Sequence, residues 1–176
     1  MNKARKITIT LVLTLVITLL VTGCGGAKKE DLKFDGKKGT VTFTVNKDAG
    51  YKLSTKADDF RTSREQGMII GKDFSIGIEF SDDLDYFHKG DFKAFKEEKK
   101  DNEEFKEVTY SDIKGIQYFY SGYMRYEIIL PIEGNNKYTL NLTVYGKDET
   151  EKDAQTAIKS EEVKAILNGM KDIKVK

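Results

Sequence analysis

The sequence predicts an α+β fold in which helices pack on an antiparallel β-sheet meander. Apolar residues alternate with polar ones through much of residues 40–80 and 105–145, a pattern typical of strands with one buried face. Two further stretches, at residues 84–95 and 160–173, carry apolar residues at helical spacing. The resulting order of strands, helix, strands and helix indicates the α+β class.

The chain begins with a stretch typical of a secretory signal peptide. Lys3, Arg5 and Lys6 precede 15 residues of Ile, Leu, Val and Thr, from Ile7 to Val21, and such signals share this basic region followed by an apolar one. A transmembrane helix needs about 20 apolar residues. The shorter run therefore favours a cleaved signal over residues 1–23.

The next residues, Val21, Thr22, Gly23 and Cys24, include the only cysteine of the chain. This segment resembles the lipobox of bacterial lipoproteins, with Val21 where that family most often has leucine. The resemblance implies that Cys24 carries a diacylglyceryl group and becomes the N-terminus, which places the mature protein on the extracytoplasmic side of the cell membrane. Acyl chains of this kind hold a protein stably on a bilayer. A secreted protein with a free thiol and an uncleaved anchor are the alternatives.

Charge is nearly balanced, with 30 Lys and Arg against 29 Asp and Glu. The two signs are interspersed along the chain, so we expect a solvated surface and no nucleic acid as partner. Residues 25–39 are small or charged with few apolar side chains, so residues 24–39 are predicted to form a flexible tether. Residues 40–176 have the length of a single globular domain.

The predicted domain starts with strands joined by turns. Apolar residues alternate with threonines over residues 41–45, and NKDAG supplies a turn before a strand over residues 51–54. Alternation returns at residues 68–70 and 76–80. Four more strands joined by short turns predict an antiparallel meander, over residues 105–110, 116–120, 123–130 and 137–145.

Two helical regions are predicted. The apolar residues of 84–95, Phe87 among them, share one side of a helical wheel, and Asp91 is suited to cap a shorter second helix within this stretch. Near the C-terminus, Ser160 is suited to an N-cap, and the helix after it has an apolar stripe that reaches Ile173. Because neither region can bury its stripe alone, both are expected to cover a face of the sheet.

The order of elements also resembles a known family. An N-terminal hairpin, a helix, a longer meander and a C-terminal helix, with the segment YKLSTKADDF…GKDFSIGIEF, resemble the α/β/α sandwich of PsbP-like proteins over about residues 40–175. That family consists mostly of non-catalytic accessory and binding proteins, so the resemblance implies a similar role. None of the family's partner-binding residues is carried over to this sequence.

Candidate catalytic groups are few. His88 is the only histidine, and with Asp82, Asp83 or Asp85 it would need a nucleophilic hydroxyl that no GxSxG-like elbow supplies. The same acids would suit Ca²⁺, but the spacing of an EF-hand loop is absent, and helix capping is the preferred interpretation. The sequence therefore predicts no catalytic residue, no metal site and no cofactor.

A binding surface is predicted on the strand pair at residues 116–130. One face of the pair mixes aromatic and hydrogen-bonding groups, and its candidate binding residues are Phe119, Tyr123, Arg125 and Tyr145. The margin of a helix-covered face is the alternative interpretation of this mixture. The other face is expected to be core and carries Ile116, Tyr118, Tyr120, Met124, Tyr126, Ile128 and Leu130.

These observations together predict a membrane-anchored lipoprotein that is not an enzyme. It is expected to act as a binding or accessory module of the bacterial envelope, with an envelope protein as its partner. Two alternatives stay open. One is a small extracytoplasmic hydrolase that uses His88 and neighbouring carboxylates, and the other is a small-ligand carrier, which would require a sizeable apolar pocket.

Overall fold

The computed structural model describes residues 28–176, which form two antiparallel sheets and four helices. The predicted signal peptide and Cys24 lie outside the described residues. Within residues 28–176 no helix is long and apolar enough to cross a membrane. The strands are β1 (Lys29–Asp35), β2 (Gly39–Asn46), β3 (Lys52–Ser54), β4 (Gly67–Ile70), β5 (Phe74–Ser81), β6 (Lys106–Tyr110), β7 (Ile113–Tyr120), β8 (Arg125–Ile132), β9 (Asn135–Gly146) and β10 (Met170–Val175). The helices are α1 (Asp83–His88), α2 (Phe92–Lys99), α3 (Glu151–Lys159) and α4 (Glu161–Asn168).

Seven strands form the large sheet, in the order β3-β4-β5-β9-β8-β7-β6, with every neighbouring pair antiparallel. The strands from β6 to β9 are consecutive both along the chain and in the sheet, which confirms the predicted meander. The 12 residues of β9 lie between β5 and β8 and join the meander to the N-terminal strands. The predicted α+β class is therefore confirmed.

Three strands form the small sheet, in the order β1-β2-β10. Strand β1 lies where the sequence predicted a flexible tether, so that prediction is wrong from Lys29 onward. Its residues pair in register with β2, and buried Phe34 stacks on Phe80 with ring centroids 6.2 Å apart. Leu32 and Phe34 are the apolar residues of the inward face, which Glu30 shares, while the alternate residues are exposed, as is typical of an edge strand. Two apolar residues among charged ones were too weak a pattern to predict a strand.

The main core lies between the small sheet, helices α3 and α4, and one face of the large sheet, which we call the core face. Burial of an apolar side chain the size of valine, leucine or phenylalanine contributes roughly 1.5–3 kcal/mol to stability. From α3 and α4 the core receives Ala154, Ala157, Ile158, Val163, Ile166 and Leu167. From the core face it receives Ile76, Ile78, Phe80, Phe119, Tyr126, Ile128, Leu130, Leu140, Leu142 and Val144.

The C-terminal segment differs from its prediction. Ser160 caps α4 as expected, its Oγ accepting a hydrogen bond from the Val163 N–H at 3.2 Å. The helix ends at Asn168, however, and Met170–Val175 pairs with β2 as β10. A Cβ atom at Gly169 would lie 2.3 Å from the Thr44 carbonyl oxygen, so glycine allows the chain to pass close to β2. The sequence analysis also missed α3, which Thr150 caps through the Asp153 N–H at 3.1 Å.

Helices α1 and α2 lie against the opposite face of the large sheet. Asp91 caps α2 as predicted, its carboxylate accepting hydrogen bonds from the N–H groups of Lys93 and Ala94 at 2.9 and 3.1 Å. Leu84 of α1 and Phe95 of α2 pack with apolar residues of β7 and β8. Phe87, by contrast, is 66% exposed. The predicted single stripe is wrong there because the left-handed backbone at residues 89–90 ends α1 and redirects the chain before α2.

Candidate functional site

The face of the large sheet opposite the core face, which we call the cleft face, is mostly polar. Cross-strand partners lie on the same face of a sheet, so the pairing of β5, β9, β8 and β7 arranges its side chains in rows. The first row is Glu79, Asn141, Ile129 and Ile116, the second is Gly77, Thr143, Glu127 and Tyr118, and the third is Ser75, Tyr145, Arg125 and Tyr120.

Helices α1 and α2 and the segment at residues 62–65 stand around these rows and enclose a cleft of about 410 Å³. This volume is within the range of small-molecule sites. The cleft is lined by charged, amide and hydroxyl groups together with aromatic rings. It therefore differs from the apolar pocket that a carrier of apolar ligands would need.

Arg125 is the centre of one hydrogen-bonded group in the cleft. Its side chain is 11% exposed, and its Nε and Nη2 atoms lie 2.8 and 2.7 Å from Glu127 Oε1. Its Nη1 donates to the Tyr145 hydroxyl at 3.2 Å. The guanidinium carbon is 4.7 Å from the centre of the Tyr123 ring and 5.5 Å from that of Tyr120. Three of the four predicted binding residues, Tyr123, Arg125 and Tyr145, are therefore brought together.

The fourth predicted binding residue, Phe119, lies on the core face. It is 2% exposed and packs on Tyr126 with ring centroids 5.2 Å apart. The connection between β7 and β8 pairs Tyr120 with Arg125, so even-numbered residues of β7 share a face with odd-numbered residues of β8. The even-numbered residues of both strands were predicted to share the core face, and for β7 this prediction is wrong. Ile116, Tyr118 and Tyr120 consequently belong to the cleft face.

Glu65 connects the loop before β4 to the cleft face. Its carboxylate accepts hydrogen bonds from the N–H groups of Arg61 and Thr62, at 2.7 and 3.3 Å, and from the Tyr145 hydroxyl at 2.6 Å. Burial, followed by this hydrogen bond to Glu65, raises the pKa of Tyr145. A Cβ atom at Gly77 would lie 2.5 Å from Glu65 Oε1, so the loop fits on the sheet because residue 77 has no side chain.

Glu79 and Arg64 form a second ionic group. Arg64 Nε lies 3.2 Å from Glu79 Oε1, and the same guanidinium also contacts Asp83 at the start of α1. Burial raises the pKa of Glu79 from 4.5 to about 6, although the charge of Arg64 acts in the opposite direction. The like charges of Asp83 and Glu127 raise it further. Glu79 is thus a carboxylate whose charge is only partly compensated.

Two polar groups face the cleft without a partner among the described residues. The side chain of Tyr118 is 9% exposed and that of Asn141 is 7% exposed, and both line the cleft. Asn141 Oδ1 accepts a hydrogen bond from Thr139 at 2.8 Å, while its Nδ2 and the Tyr118 hydroxyl have no hydrogen-bond partner in residues 28–176. Burial raises the pKa of Tyr118. Both atoms are open to the cleft, since the one fully buried polar side-chain atom without a partner in residues 28–176 is Ser75 Oγ, so the two are available to a ligand.

His88 also lines the cleft, but its partner is different from those predicted. Its Nε2 lies 3.1 Å from Glu98 Oε2, and its ring contacts Phe95 edge to face at 5.0 Å. Of the neighbouring aspartates, Asp82 pairs with Lys38 and Asp83 with Arg64. No hydroxyl group is bonded to His88 in the part of the chain that the structure describes. The arrangement of nucleophile, base and acid is therefore not formed there.

Of the charged groups that build the cleft, Arg125 was predicted as a binding residue, whereas Arg64, Glu65 and Glu79 were not. Arg64 and Glu65 lie in an irregular segment with no periodic pattern, so nothing local indicated their position. Glu79 lies on the polar side of the alternation in FSIGIEFS, so the local pattern predicted a solvated position and did not indicate that other elements cover this face. Within residues 28–176, no group of three or more His, Cys, Asp and Glu side chains is placed to hold a metal ion.

No protein-family model matches the chain, and neither curated proteins nor solved structures match it. The functional inference that follows therefore depends on the chemistry of the cleft and on the N-terminal sequence.

Proposed function

We propose that this protein is a lipid-anchored extracytoplasmic binding module of the bacterial envelope that holds a small polar ligand in the cleft. The anchor is proposed from the lipobox-like sequence that ends in Cys24. The finer fold proposed is the α/β/α sandwich of PsbP-like proteins. Its support is that helices contact both faces of the large sheet, α1 and α2 on one and α3 on the other.

One observation carries the binding proposal: polar side chains that are nearly buried face an open cleft with hydrogen-bonding capacity unused. Arg125 and Glu65 are held in place by several contacts each, whereas Tyr118 and Asn141 retain free donors. Such preorganised groups bind a ligand with little loss of side-chain entropy. A cleft of about 410 Å³ suits a small molecule better than a folded partner.

Few residues separate Cys24 from β1, which limits the distance between the folded module and the membrane. Only residues 24–28 precede Lys29, the first residue of β1, and five extended residues span at most roughly 18 Å. A lipidated Cys24 would therefore hold the folded part close to the lipid surface. We propose that the module, at this distance from the lipid, contacts an envelope protein that supplies the ligand or receives it.

The anchor is tested by mass spectrometry of the mature N-terminus. The expected result is a diacylated Cys24 as the first residue, and release of the Cys24→Ala protein from membranes or retention of its uncleaved precursor. An unmodified Cys24 in a mature protein found only in the soluble fraction would overturn this part of the proposal.

The cleft is tested by screening the purified protein against a library of small polar metabolites, with amide shifts in ¹⁵N NMR spectra as the readout. We expect a binder whose shifts concentrate on β5, β8 and β9, and loss of those shifts in Tyr118→Phe/Asn141→Ala. The matched control Tyr86→Phe/Asn136→Ala removes one hydroxyl and one amide from exposed residues that do not line the cleft, and it should keep binding. Shifts confined to other surfaces would contradict the proposal.

A second candidate function, a small hydrolase, is favoured by one observation, the His88–Glu98 pair that lines the same cleft. It predicts that library compounds are converted and that His88→Ala abolishes conversion, because loss of a general base typically lowers the rate 10²–10⁴-fold. Binding without conversion, unchanged in His88→Ala, is the result expected for a non-catalytic module.

A further inference from the structure

The charges that line the cleft do not balance. The acidic side chains are Glu65, Glu79, Asp83, Glu98 and Glu127, and the basic ones are Arg64, Lys99 and Arg125. Leaving His88 out of the count, the acids exceed the bases by two. Glu65 accounts for part of this excess, because its partners are N–H groups and a hydroxyl rather than a cation. A ligand that enters the cleft meets a negative potential, strengthened by the low dielectric of its walls.

Glu79 and Glu127 lie on the same face of the sheet, on either side of β9. They lie one row apart on strands separated by β9, which places their Cα atoms roughly 12 Å apart from standard sheet spacings. Each carboxylate binds an arginine through Oε1. Glu79 Oε2 has no hydrogen-bond partner among residues 28–176, and Glu127 Oε2 has only the Thr143 hydroxyl at 3.3 Å. The space between the two side chains is therefore lined by oxygen atoms that can accept further hydrogen bonds.

Tyr118 and Asn141 complete this space. Tyr118 is in the same row as Glu127, and Asn141 is the cross-strand partner of Glu79. The Tyr118 hydroxyl oxygen can accept a further hydrogen bond, and Asn141 Nδ2 can donate one. An ammonium group has three donors and no acceptor, which matches two carboxylates and a hydroxyl. The amide donor of Asn141 matches an oxygen atom close to that ammonium group.

From this arrangement we infer that the cleft binds a small amine through its ammonium group, held between Glu79 and Glu127, with Asn141 donating to a neighbouring hydroxyl or carbonyl oxygen. This inference rests on the proposed function and adds the chemical class of the ligand. An anionic ligand is disfavoured because both arginines of the cleft are already paired with carboxylates. A neutral polyol would leave the excess negative charge uncompensated.

The test uses compounds that differ only in charge. The purified protein is titrated at pH 7.5 with 4-aminobutan-1-ol, butane-1,4-diol and 4-hydroxybutanoate, and then with glucosamine, glucose and glucuronate, with dissociation constants taken from amide shifts. In each series we expect the amine to bind at least about tenfold more tightly than the neutral compound and the acid not to bind, since one ionic contact in a half-buried site contributes at least this factor.

Two variants test whether the amine binds at the proposed position. Glu79→Gln should weaken amine binding by about tenfold or more, and Glu127→Gln should do the same. Glu107→Gln is the matched control, because it removes the same charge from an exposed residue of β6, and its amine affinity should be unchanged. Thermal unfolding of each variant establishes that it is folded, and the wild-type ligand series gives an answer independent of the variants.

The outcomes separate this inference from the proposed function. If the diol, glucose or either acid binds in the cleft as tightly as the amines, the amine inference is overturned while the cleft remains a binding site. Equal loss of amine binding in Glu107→Gln and Glu79→Gln would overturn it as well. If neither these series nor the metabolite library perturbs the cleft, both proposals fail.

Discussion

Gly77 is the residue at which the large sheet makes room for the carboxylate of Glu65. The missing side chain lets Glu65 reach Tyr145 and the backbone of residues 61–62, so the buried carboxylate is held by three donors from two places in the chain. A buried carboxylate with this many hydrogen bonds avoids most of the desolvation cost that it would otherwise have.

Gly77→Ala should therefore destabilise the fold. The new Cβ atom would lie 2.5 Å from Glu65 Oε1, and overpacking of this kind typically costs 1–3 kcal/mol, roughly the range expected here. Urea unfolding measures the change. Gly122→Ala is the control, because nothing lies within 4 Å of a Cβ atom there, and its effect should be within about 0.5 kcal/mol. Equal stability of the two variants would contradict the described position of Glu65.

Glu79 should make stability depend on pH. Its pKa is raised from 4.5 to about 6 in the folded protein, chiefly by burial, with the charges of Arg64, Asp83 and Glu127 acting on it as well. The folded state therefore holds a proton more tightly than the unfolded state. Its contribution to stability is greatest below pH 4.5, falls as the pH rises through about 6, and is constant above that, a total change of about 2 kcal/mol.

The measurement is urea unfolding of the wild type and of Glu79→Gln between pH 4 and pH 8. The wild-type stability minus that of the variant should fall by about 2 kcal/mol as the pH rises through this window. Glu107→Gln serves as the control and should not show this change. Parallel curves for the wild type and Glu79→Gln would contradict the raised pKa of Glu79.

Among the elements, α1 shows how a short helix can be positioned by two contacts. It has six residues, and Leu84 is its buried residue. Phe87 is exposed beside the cleft, and its ring contacts that of Tyr86 at 4.8 Å. A helix this short is unstable alone, so its position depends on Leu84 packing against β7 and β8 and on Asp83 binding Arg64.

Leu84→Ala should cost about 2–5 kcal/mol of unfolding free energy, the range for a buried leucine. Phe87→Ala is the matched control on the same helix and should change stability by no more than about 0.5 kcal/mol, because the side chain is solvated. Denaturant unfolding of both variants gives the comparison. The reverse order would show that α1 presents its other side to the sheet.

At the scale of the whole molecule, the N-terminal strand joins the two sheets into one unit. Phe34 of β1 packs on Phe80 of β5, and β2 connects β1 to the C-terminal strand β10. Lys171 of β10 also pairs with Asp31 of β1 at 2.7 Å. The two ends of the described chain therefore meet in the small sheet, which covers the core face of the large one.

Phe34→Ala tests this arrangement against the flexible tether that the sequence predicted. Loss of a buried phenylalanine typically costs about 3–5 kcal/mol, whereas the same change in a tether would have no effect on stability. Lys33→Ala, at an exposed neighbouring position of β1, should stay within about 0.5 kcal/mol. Chemical unfolding of both variants distinguishes a strand from a tether.

The sequence alone determined the features that depend on neighbouring residues. The caps at Asp91 and Ser160 were predicted because a capping side chain binds an N–H two or three residues away. The strands of the meander were predicted because alternation at every second residue is a local pattern. A weak local pattern was not sufficient, since the two apolar residues of β1 did not predict a strand.

Tertiary structure alone decided which groups meet. Arg64 comes from a loop, Glu79 from β5 and Arg125 from β8, and only the pairing of β5 with β9 and of β9 with β8 brings them to one face. The pairing of β7 with β8 placed Phe119 in the core and Tyr118 in the cleft. Strand pairing decides the face because one residue of register reverses every side chain, and that register depends on contacts between residues far apart in the sequence.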